Sequence, residues 1–300
     1  MSITVADEAP RTGADAAFRD AVTFSFGDPA TQVYGLARLG LGDGGANGFG
    51  VIHSGTDLVD AATETAAAAD LVDTWDEVKA AGVRTTVITP LEAWTVSFEG
   101  AHGSFDLRFE AASAPAVLDP EDAVARLGGM EGYEQLCRVT GTVRIGRRTV
   151  DVNCLGQRGH LWGTPDWSKI ALARTVSAWM GDDRAVFVTA VRPAKAKHHD
   201  EEAVAGFVFE SGQPSAVFDA RLSTTYDDEL RQRRAGLELW MQEEGGMARR
   251  AAGEALSGTS MDLGEVRMDS AFFRWWMEGR EGVGRYDVLR RMDGGGKRRR

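Results

Sequence analysis

Hydrophobic and polar positions alternate along most of this chain. The alternation is clean over Ala93–Glu99, where every second residue is apolar and would face one side of an extended strand. A glycine-containing turn separates this segment from Ser104–Glu110, which alternates in the same way. Similar short segments recur from Gln32–Leu39 to Gly284–Leu289 without intervening amphipathic helices. The pattern predicts an all-β protein of the barrel or sandwich type and argues against a parallel-sheet enzyme.

Three stretches depart from this pattern. The acidic, alanine-rich lead before Gln32 contains no predicted strand. Asp60–Asp70 is rich in alanine, which favours helix, and has no apolar stripe, so it is expected to form a surface helix or an ordered insertion. Residues 111–132 contain two prolines and an acidic run and are predicted to be the longest irregular segment of the first half.

The charge balance excludes one class of partner. The chain has 45 acidic and 34 basic residues and a formal net charge of -11. A nucleic-acid binder needs a concentrated basic face to displace counterions from phosphates, so none is expected here. The basic cluster Lys297–Arg300 follows three glycines and is interpreted as a solvated tail, with a cloning remnant or an anchor to an anionic surface as the alternatives.

Targeting and metal signals are weak throughout. No basic segment followed by an apolar one opens the chain, and no apolar run approaches the length of a membrane span, so a cytoplasmic protein without stable membrane insertion is expected. Cys137 and Cys154 fit no metal pattern and are interpreted as free buried thiols, with a cross-strand disulfide as the alternative. Adjacent His198 and His199 are expected in a solvated loop, and no metal site is predicted.

Common cofactor and nucleophile motifs are not found in their usual structural context. The residues Gly40–Gly45 have glycines at phosphate-loop spacing after a predicted strand, but no helix follows, so the segment is interpreted as a hairpin turn. There is no Walker loop, no GxSxG elbow and no HExxH helix. The sequence therefore predicts no cofactor. Acid–base chemistry on a cofactor-free substrate remains compatible with it.

One dense segment, Gly156–Trp167, combines an imidazole, two indoles, a guanidinium and a carboxylate. On an extended chain His160 and Trp162 project to the same face, where an imidazole beside an aromatic wall can exchange a proton with an apolar substrate. Asp166 is placed in sequence to orient His160 or to pair with Arg158. The alternative interpretation is a core tryptophan beside a hydrogen-bonded histidine at a barrel corner.

This segment resembles the signature of a known family. Gly141-Thr142-Val143, Gly156–Gly163 and Asp166-Trp167 look like the central motif of the two-domain lipocalin-like proteins related to hydroxyneurosporene synthase (carotenoid 1,2-hydratase), a group that includes AttH-like proteins and Diels–Alder cyclases. Trp94–Gly100 and Gly282–Tyr286 extend the resemblance over most of the chain. The resemblance implies two tandem lipocalin-like antiparallel β-barrels or sandwiches with short helical insertions. Their expected extents are residues 1–150 and 151–300, with a boundary anywhere in 130–180.

The same resemblance, taken with the dense segment, proposes a set of site residues. His160 and Asp166 are the expected catalytic residues, and the expected substrate-binding residues are Trp162, Trp167, Arg158 and Trp94. Two positions depart from the family pattern: Gly159 stands where relatives often have an acid, and Leu161 replaces the usual serine. Because a buried carboxyl can retain its proton near neutral pH, another carboxylate is able to replace the missing acid. The candidates are Asp151, Asp166, Glu134 and Glu238.

The favoured function is a cofactor-independent enzyme that hydrates, isomerises or cyclises an apolar isoprenoid- or polyketide-like molecule, in a cavity of or between the barrels. The alternative is a non-catalytic carrier or sensor for a hydrophobic small molecule, which the missing acid at position 159 supports. A structural or interaction role with a filled core is the third hypothesis. Homodimer formation is left open.

Overall fold

The computed structural model describes residues 3–42, 45–67, 72–181, 183–198, 201–242 and 246–292. The end of the alanine-rich segment, His199 and the basic cluster Lys297–Arg300 lie outside these residues.

The chain is built almost wholly of antiparallel strands, as the alternation predicts. The strands of the first half are β1 Arg19–Asp28, β2 Val33–Gly42, β3 Gly45–Ser54, β4 Asp57–Ala67, β5 Lys79–Ala80, β6 Val83–Thr89, β7 Ala93–Glu99, β8 Gly103–Ala111, β9 Ala116–Leu118, β10 Met130–Ile145 and β11 Arg148–Gly163. The short helix α1 Ala123–Gly128 and the 3-10 turns Val5–Glu8 and Trp75–Glu77 belong to the same half. The strands of the second half are β12 Ile170–Met180, β13 Arg184–Pro193, β14 Ala203–Glu210, β15 Gln213–Ala216, β16 Asp219–Tyr226, β17 Gln232–Trp240, β18 Arg249–Asp262, β19 Val266–Met277 and β20 Arg280–Arg291.

These strands form two sheets, each curled into a barrel or half-barrel. The first has the order β4-β3-β2-β1-β11-β10-β8-β7-β6-β5, with β9 added on β10. The second has the order β15-β14-β13-β12-β20-β19-β18-β17-β16. In both halves the first strand pairs with the last one (β1 with β11, and β12 with β20). The all-β prediction is confirmed, whereas the proposed domain boundary stays a prediction.

Each sheet encloses a core of its own, and a third apolar cluster lies between the sheets. The first core includes Phe24, Trp94 and Phe109, and the second includes Phe273 and Trp275. The third cluster takes residues from both halves, among them Tyr34, Leu36, Leu136, Trp179, Phe187 and Phe272. We call this third region the inter-sheet layer.

The predicted helix at Asp60–Asp70 is wrong over the part that the structure describes. Residues through Ala67 form β4, which pairs antiparallel with β3 so that Val51 lies opposite Ala61. Ladder hydrogen bonds to a neighbouring strand outweigh the intrinsic helix preference of alanine, which is worth less than about 1 kcal/mol per residue. Residues 68–70 lie outside the described part.

Other differences concern elements that the sequence interpretation missed. The lead contains β1, a central strand of the first sheet, and β18 was also not predicted. The segment 111–132 is less irregular than expected, since it contains β9 and α1. Cys137 and Cys154 are free thiols, as predicted, but only Cys137 is fully buried and Cys154 is partly buried.

Among the described helices, none has the length and apolar character needed to cross a bilayer.

Candidate functional site

The dense segment lies on β11, a strand flanked on both sides. His160 pairs with Val22 on β1 and Tyr133 on β10, and the preceding Gly159 pairs with Thr23 and Glu134. Because successive side chains of a strand point to opposite faces, β11 and its two neighbours carry two sets of side chains, and each set faces a different layer. One set, with Arg158 and His160, points into the first core. The other, with Glu134 and Gln157, points into the inter-sheet layer.

His160 is fully buried on the inner face. Its Nε2 lies 2.7 Å from Oδ1 of Asp20, and both side chains are inaccessible to solvent. The other carboxylate oxygen of Asp20 accepts a hydrogen bond of 2.6 Å from the backbone N–H of Arg11. The imidazole has aromatic rings on three sides, with centroids 5.0 Å away in Trp162 and 5.6 Å away in Trp75, and Tyr133 on the third side. The arrangement fits a hydrogen-bonded core histidine better than an open catalytic group.

Arg158 lies on the same face and is buried in the interior of the first sheet. Its guanidinium forms a buried ion pair with Glu8, donates a 2.9 Å hydrogen bond to the Tyr133 hydroxyl, and stacks 4.2 Å from the centroid of Trp94. Glu8 also accepts hydrogen bonds from the indole N–H of Trp94 and the backbone N–H of Leu91. These contacts attach the N-terminal 3-10 turn to the centre of the sheet.

The second half contains a matching arrangement. Arg174 is buried inside that sheet, where it pairs with Glu202 and lies within hydrogen-bond distance of the Tyr286 hydroxyl. Because a buried arginine, tyrosine and glutamate occur in both halves, the set is explained by closure of a barrel interior. The inner cluster of Glu8, Asp20, Tyr133, Arg158 and His160 is therefore interpreted as structural.

Asp166 lies apart from the other predicted site residues. It is exposed and accepts hydrogen bonds from Ser168, and its carboxylate pairs with Lys169 at 2.9 Å. Those hydrogen bonds hold the pKa of Asp166 at about 2. Asp20 takes the place beside His160 that the sequence had suggested for Asp166, because β1 lies next to β11 in the sheet.

The predicted aromatic residues are divided between environments. Trp94 and Trp162 are buried on the inner face, and the indole N–H of Trp162 donates to Glu131. Trp167 is half-buried and packs in a separate small cluster with α1. The structure thus brings together His160, Arg158, Trp94 and Trp162, and leaves Asp166 and Trp167 outside.

Glu134 is the buried acid of the inter-sheet layer. It accepts a 2.7 Å hydrogen bond from Nε2 of Gln157, whose Oε1 lies 3.4 Å from the indole nitrogen of Trp179 across the layer. Burial raises the pKa of Glu134 from its ordinary value of 4.5 to about 7, although Gln157 and nearby Arg285 act in the opposite direction. A carboxyl group with this pKa retains its proton at neutral pH to a large extent, which suits a proton donor.

Gly159 leaves the space that this carboxyl group occupies. A Cβ atom at position 159 would lie 2.4 Å from Oε1 of Glu134. Glu134 on the adjacent strand lies directly opposite Gly159 in register, so its carboxyl group fills the space beside this glycine. Of the other candidate carboxylates, Asp151 is exposed and Glu238 pairs with Arg250 near the surface.

Gly159→Ala is expected to destabilise the protein by about 1–2 kcal/mol, because the added methyl group displaces Glu134 from its hydrogen bond with Gln157. Urea unfolding measures the change. The effect should nearly disappear when Glu134→Ala is present, since no carboxyl group then opposes the methyl. Gly246→Ala, where a Cβ meets nothing within 4 Å, is the control. Equal losses at position 159 in both backgrounds would contradict the contact.

A second set of buried polar groups faces the layer from the other half. Arg285 and Asp287 form an ion pair of 2.8 Å between Nε and Oδ2, and Ser270 donates a 2.6 Å hydrogen bond to Oδ1 of Asp287. The ion pair is close but is not aligned as a hydrogen bond, so Nε and Nη1 of Arg285 have no hydrogen-bond acceptor within the described residues. The buried hydroxyl of Ser177 has no partner there either.

A cavity of about 450 Å³ reaches this set. Its wall includes Thr56 from the first half, and Ser257, Asp269 and Ser270 from the second. Ser270 in the cavity wall donates its hydrogen bond to Asp287, which pairs with Arg285. Small-molecule sites commonly lie at such junctions between two halves of a protein.

His53 is a further buried titratable group of the layer. Its ring lies edge-on to Phe272, with centroids 5.7 Å apart, and burial lowers its pKa to about 4. The imidazole is therefore neutral at physiological pH. In the described part of the chain, no group of three or more His, Cys, Asp or Glu side chains is placed to hold a metal ion.

Several of these residues were missed from the sequence. Glu8 and Asp20 lie in the lead that was assigned no strand, although the run Val22-Thr23-Phe24-Ser25-Phe26 alternates and was a usable signal for β1. Arg285 and Asp287 also alternate with apolar residues, but only the packing of the two sheets shows that they face Glu134.

Comparisons with known proteins agree with this architecture. The model of the family described as "Domain of unknown function (DUF7064)" matches residues 4–291. No curated protein matches the sequence at a significant level.

Solved structures with a similar fold were found. A putative AttH from Nitrosomonas europaea is 10% identical, with a TM-score of 0.67 and coverage of 92% of this chain and 93% of that one. CghA with Sch210972 is 12% identical, with a TM-score of 0.64 and coverage of 92% and 89%. Kievitone hydratase from Nectria haematococca is 9% identical, with a TM-score of 0.64 and coverage of 91% and 88%. These similarities confirm the fold resemblance expected from the sequence.

Proposed function

The chain belongs to the DUF7064 family, whose description names no activity, and we propose that it is an enzyme that transfers a proton from Glu134 to an apolar small molecule held between the two sheets. The observation that supports this most strongly is the buried Glu134 carboxyl, with a pKa raised to about 7, in the inter-sheet layer. Burying a carboxyl group costs folding free energy, and strongly shifted pKa values of this kind are concentrated at functional sites.

The surroundings of Glu134 suit an apolar ligand with a few polar contacts. Trp179 and Phe272 supply aromatic surface, and Gln157 holds the acid in place. Two of the solved structures with this fold are a hydratase and CghA with a bound small molecule, which supports action on a small molecule.

The proposed chemistry begins with transfer of the Glu134 proton to a carbon of the substrate. The O–H bond of the carboxyl breaks as a C–H bond forms, and the electrons of a substrate double bond are used. Addition of water with loss of one of its protons gives hydration, loss of a neighbouring proton gives isomerisation, and internal ring closure followed by loss of a proton gives cyclisation. In each case the released proton returns to the Glu134 carboxylate, so the enzyme returns to its starting state.

His160 is assigned a structural role in this proposal. We expect His160→Gln to lower the free energy of unfolding by about 1–3 kcal/mol, because the buried hydrogen bond between the imidazole and Asp20 is lost. Turnover per folded molecule should change by less than about threefold. Thermal unfolding and single-time-point conversion on the same preparation measure both quantities. A loss of turnover of 100-fold or more in a fully folded variant would return His160 to the catalytic group.

The experiment that tests the function uses small molecules from the source organism. An organic extract of the source cells is incubated with the wild-type protein, with Glu134→Gln and with heat-inactivated protein, and the three mixtures are compared by liquid chromatography and mass spectrometry. The proposal expects a compound that the wild type alone converts, with a mass gain of one water or a changed retention time at constant mass.

Native mass spectrometry of the purified protein distinguishes an enzyme from a non-catalytic carrier. A retained small molecule that is bound but never converted would contradict the enzyme proposal and support a carrier. Equal conversion by the wild type and Glu134→Gln would contradict the assignment of Glu134.

A further inference from the structure

Two unused hydrogen-bond donors face the inter-sheet layer from adjacent strands. Ser177 on β12 and Arg285 on β20 are paired directly in register, so their side chains project to the same side. Both are buried, and within the described residues neither the Ser177 hydroxyl nor the Arg285 Nε and Nη1 groups have a hydrogen-bond acceptor. Burying a donor without an acceptor is unfavourable, so a bound acceptor would satisfy these groups.

The charge around this donor pair restricts the acceptor. The carboxylate of Asp287 balances the guanidinium at 2.8 Å, and Ser270 holds that carboxylate from the cavity side. A ligand that brought a full negative charge would compete with Asp287 for Arg285. A neutral oxygen that becomes negative only during the reaction would not.

We propose that Ser177 and Arg285 bind a carbonyl oxygen of the substrate, and that this carbonyl is conjugated to the double bond that Glu134 protonates. This inference rests on the proposed function of Glu134. The substrate class is then an apolar α,β-unsaturated ketone, and the donor pair stabilises the negative charge that develops on its oxygen.

The position of the guanidinium argues against the alternative chemistry. Protonation of an isolated alkene leaves a carbocation, which a nearby arginine destabilises. With a conjugated carbonyl, water forms a C–O bond at the β-carbon and the π electrons move toward the carbonyl oxygen. The α-carbon takes the proton of Glu134, the added water gives up one proton, and that proton restores the carboxyl. The sum is the addition of one water.

The test compares two probes of matched shape, 1,3-diphenylprop-2-en-1-one and its deoxygenated analogue 1,3-diphenylpropene. Binding is followed by quenching of tryptophan fluorescence. Wild type should bind the ketone at least about tenfold more tightly than the hydrocarbon, since charge-assisted hydrogen bonds contribute only to the ketone.

Ser177→Ala and Arg285→Lys should each reduce that preference severalfold and leave affinity for the hydrocarbon unchanged. Ser177→Ala removes a hydroxyl without a partner, so the variant should fold normally. Ser223→Ala, an exposed serine of the same sheet, is the matched control and should keep the full preference. Equal affinity of wild type for both probes, absence of ketone binding, or an unchanged preference in both variants would overturn the inference.

Failure of the carbonyl inference can be distinguished from failure of the proposed role of Glu134. Glu134→Gln should retain the ketone preference, because the donors lie on the other half of the layer. If the wild type converts a compound but binds both probes equally, only the inference about the carbonyl oxygen is contradicted. A ketone preference in a protein whose Glu134→Gln variant converts normally would remove only the role of Glu134.

Discussion

Glu134→Gln is expected to lower turnover by at least about 100-fold while leaving the protein folded, because the amide cannot donate the proton that the reaction needs. The substitution keeps the shape of the side chain, and its carbonyl oxygen can still accept the hydrogen bond from Gln157. Conversion of the compound identified from the source extract, measured per folded molecule, gives the result. Turnover within threefold of wild type would exclude Glu134 as the acid.

The pH dependence of activity provides a second measurement of the same group. Only the protonated carboxyl donates, and the pKa of Glu134 is raised to about 7. Wild-type turnover should therefore fall as the pH rises through about 7, with a slope that reports one proton. Ser223→Ala should share this profile because the exposed serine is remote from the layer. A flat profile between pH 6 and 9 would contradict the assignment.

Glu134→Gln should increase the stability of the fold above neutral pH, although it lowers activity. In the unfolded chain Glu134 titrates near its ordinary value of 4.5, whereas the folded protein holds the proton until about pH 7. The proton-bound group therefore stabilises the fold fully below pH 4.5, and that stabilisation is lost as the pH rises through 7. At about 1.4 kcal/mol per pKa unit, the loss approaches roughly 3 kcal/mol. Because glutamine does not ionise, Glu134→Gln should be more stable than wild type at pH 8 and nearly equal at pH 5, as urea unfolding would show.

Glu8→Gln is expected to cost about 3–5 kcal/mol of unfolding free energy, the largest stability effect in the first half. The substitution leaves the Arg158 guanidinium buried without its carboxylate, and it weakens the contacts to Trp94 and Leu91 that hold the N-terminal turn. Urea unfolding at neutral pH measures the change, and hydrogen exchange of β11 should show where the loss occurs.

Two further variants test the cause of this loss. Glu121→Gln removes an ion pair with Arg126 whose side chains are 86% and 64% exposed, so it should cost less than about 1 kcal/mol. Arg158→Met in the Glu8→Gln background removes the uncompensated charge and should recover part of the stability. A cost below about 1 kcal/mol for Glu8→Gln itself would show that the N-terminal turn is not held by this pair.

The hydrophobic pattern by itself determined the fold class and most strands. Alternation over Ala93–Glu99 and Ser104–Glu110 predicted β7 and β8 nearly residue for residue, because one face of each strand must be apolar to be buried. The His160 motif lies on the central strand β11, between β1 and β10. Composition misled where local preference and sheet pairing disagree, as in the alanine-rich strand β4, and in the lead, where β1 was missed.

The tertiary structure alone decided which residues of that central strand meet which partners. The sequence offered Asp166, six residues away, either to orient His160 or to pair with Arg158, whereas pairing of β1 with β11 brings Asp20 to the imidazole across 140 residues. The sequence also showed that the expected acid is missing at Gly159, and it offered Glu134 as one of four carboxylates that could replace that acid. Strand register and burial distinguish Glu134 from the other three. Local sequence sets the alternation of faces, but the contacts across a face depend on which strands pair and on how the two sheets pack.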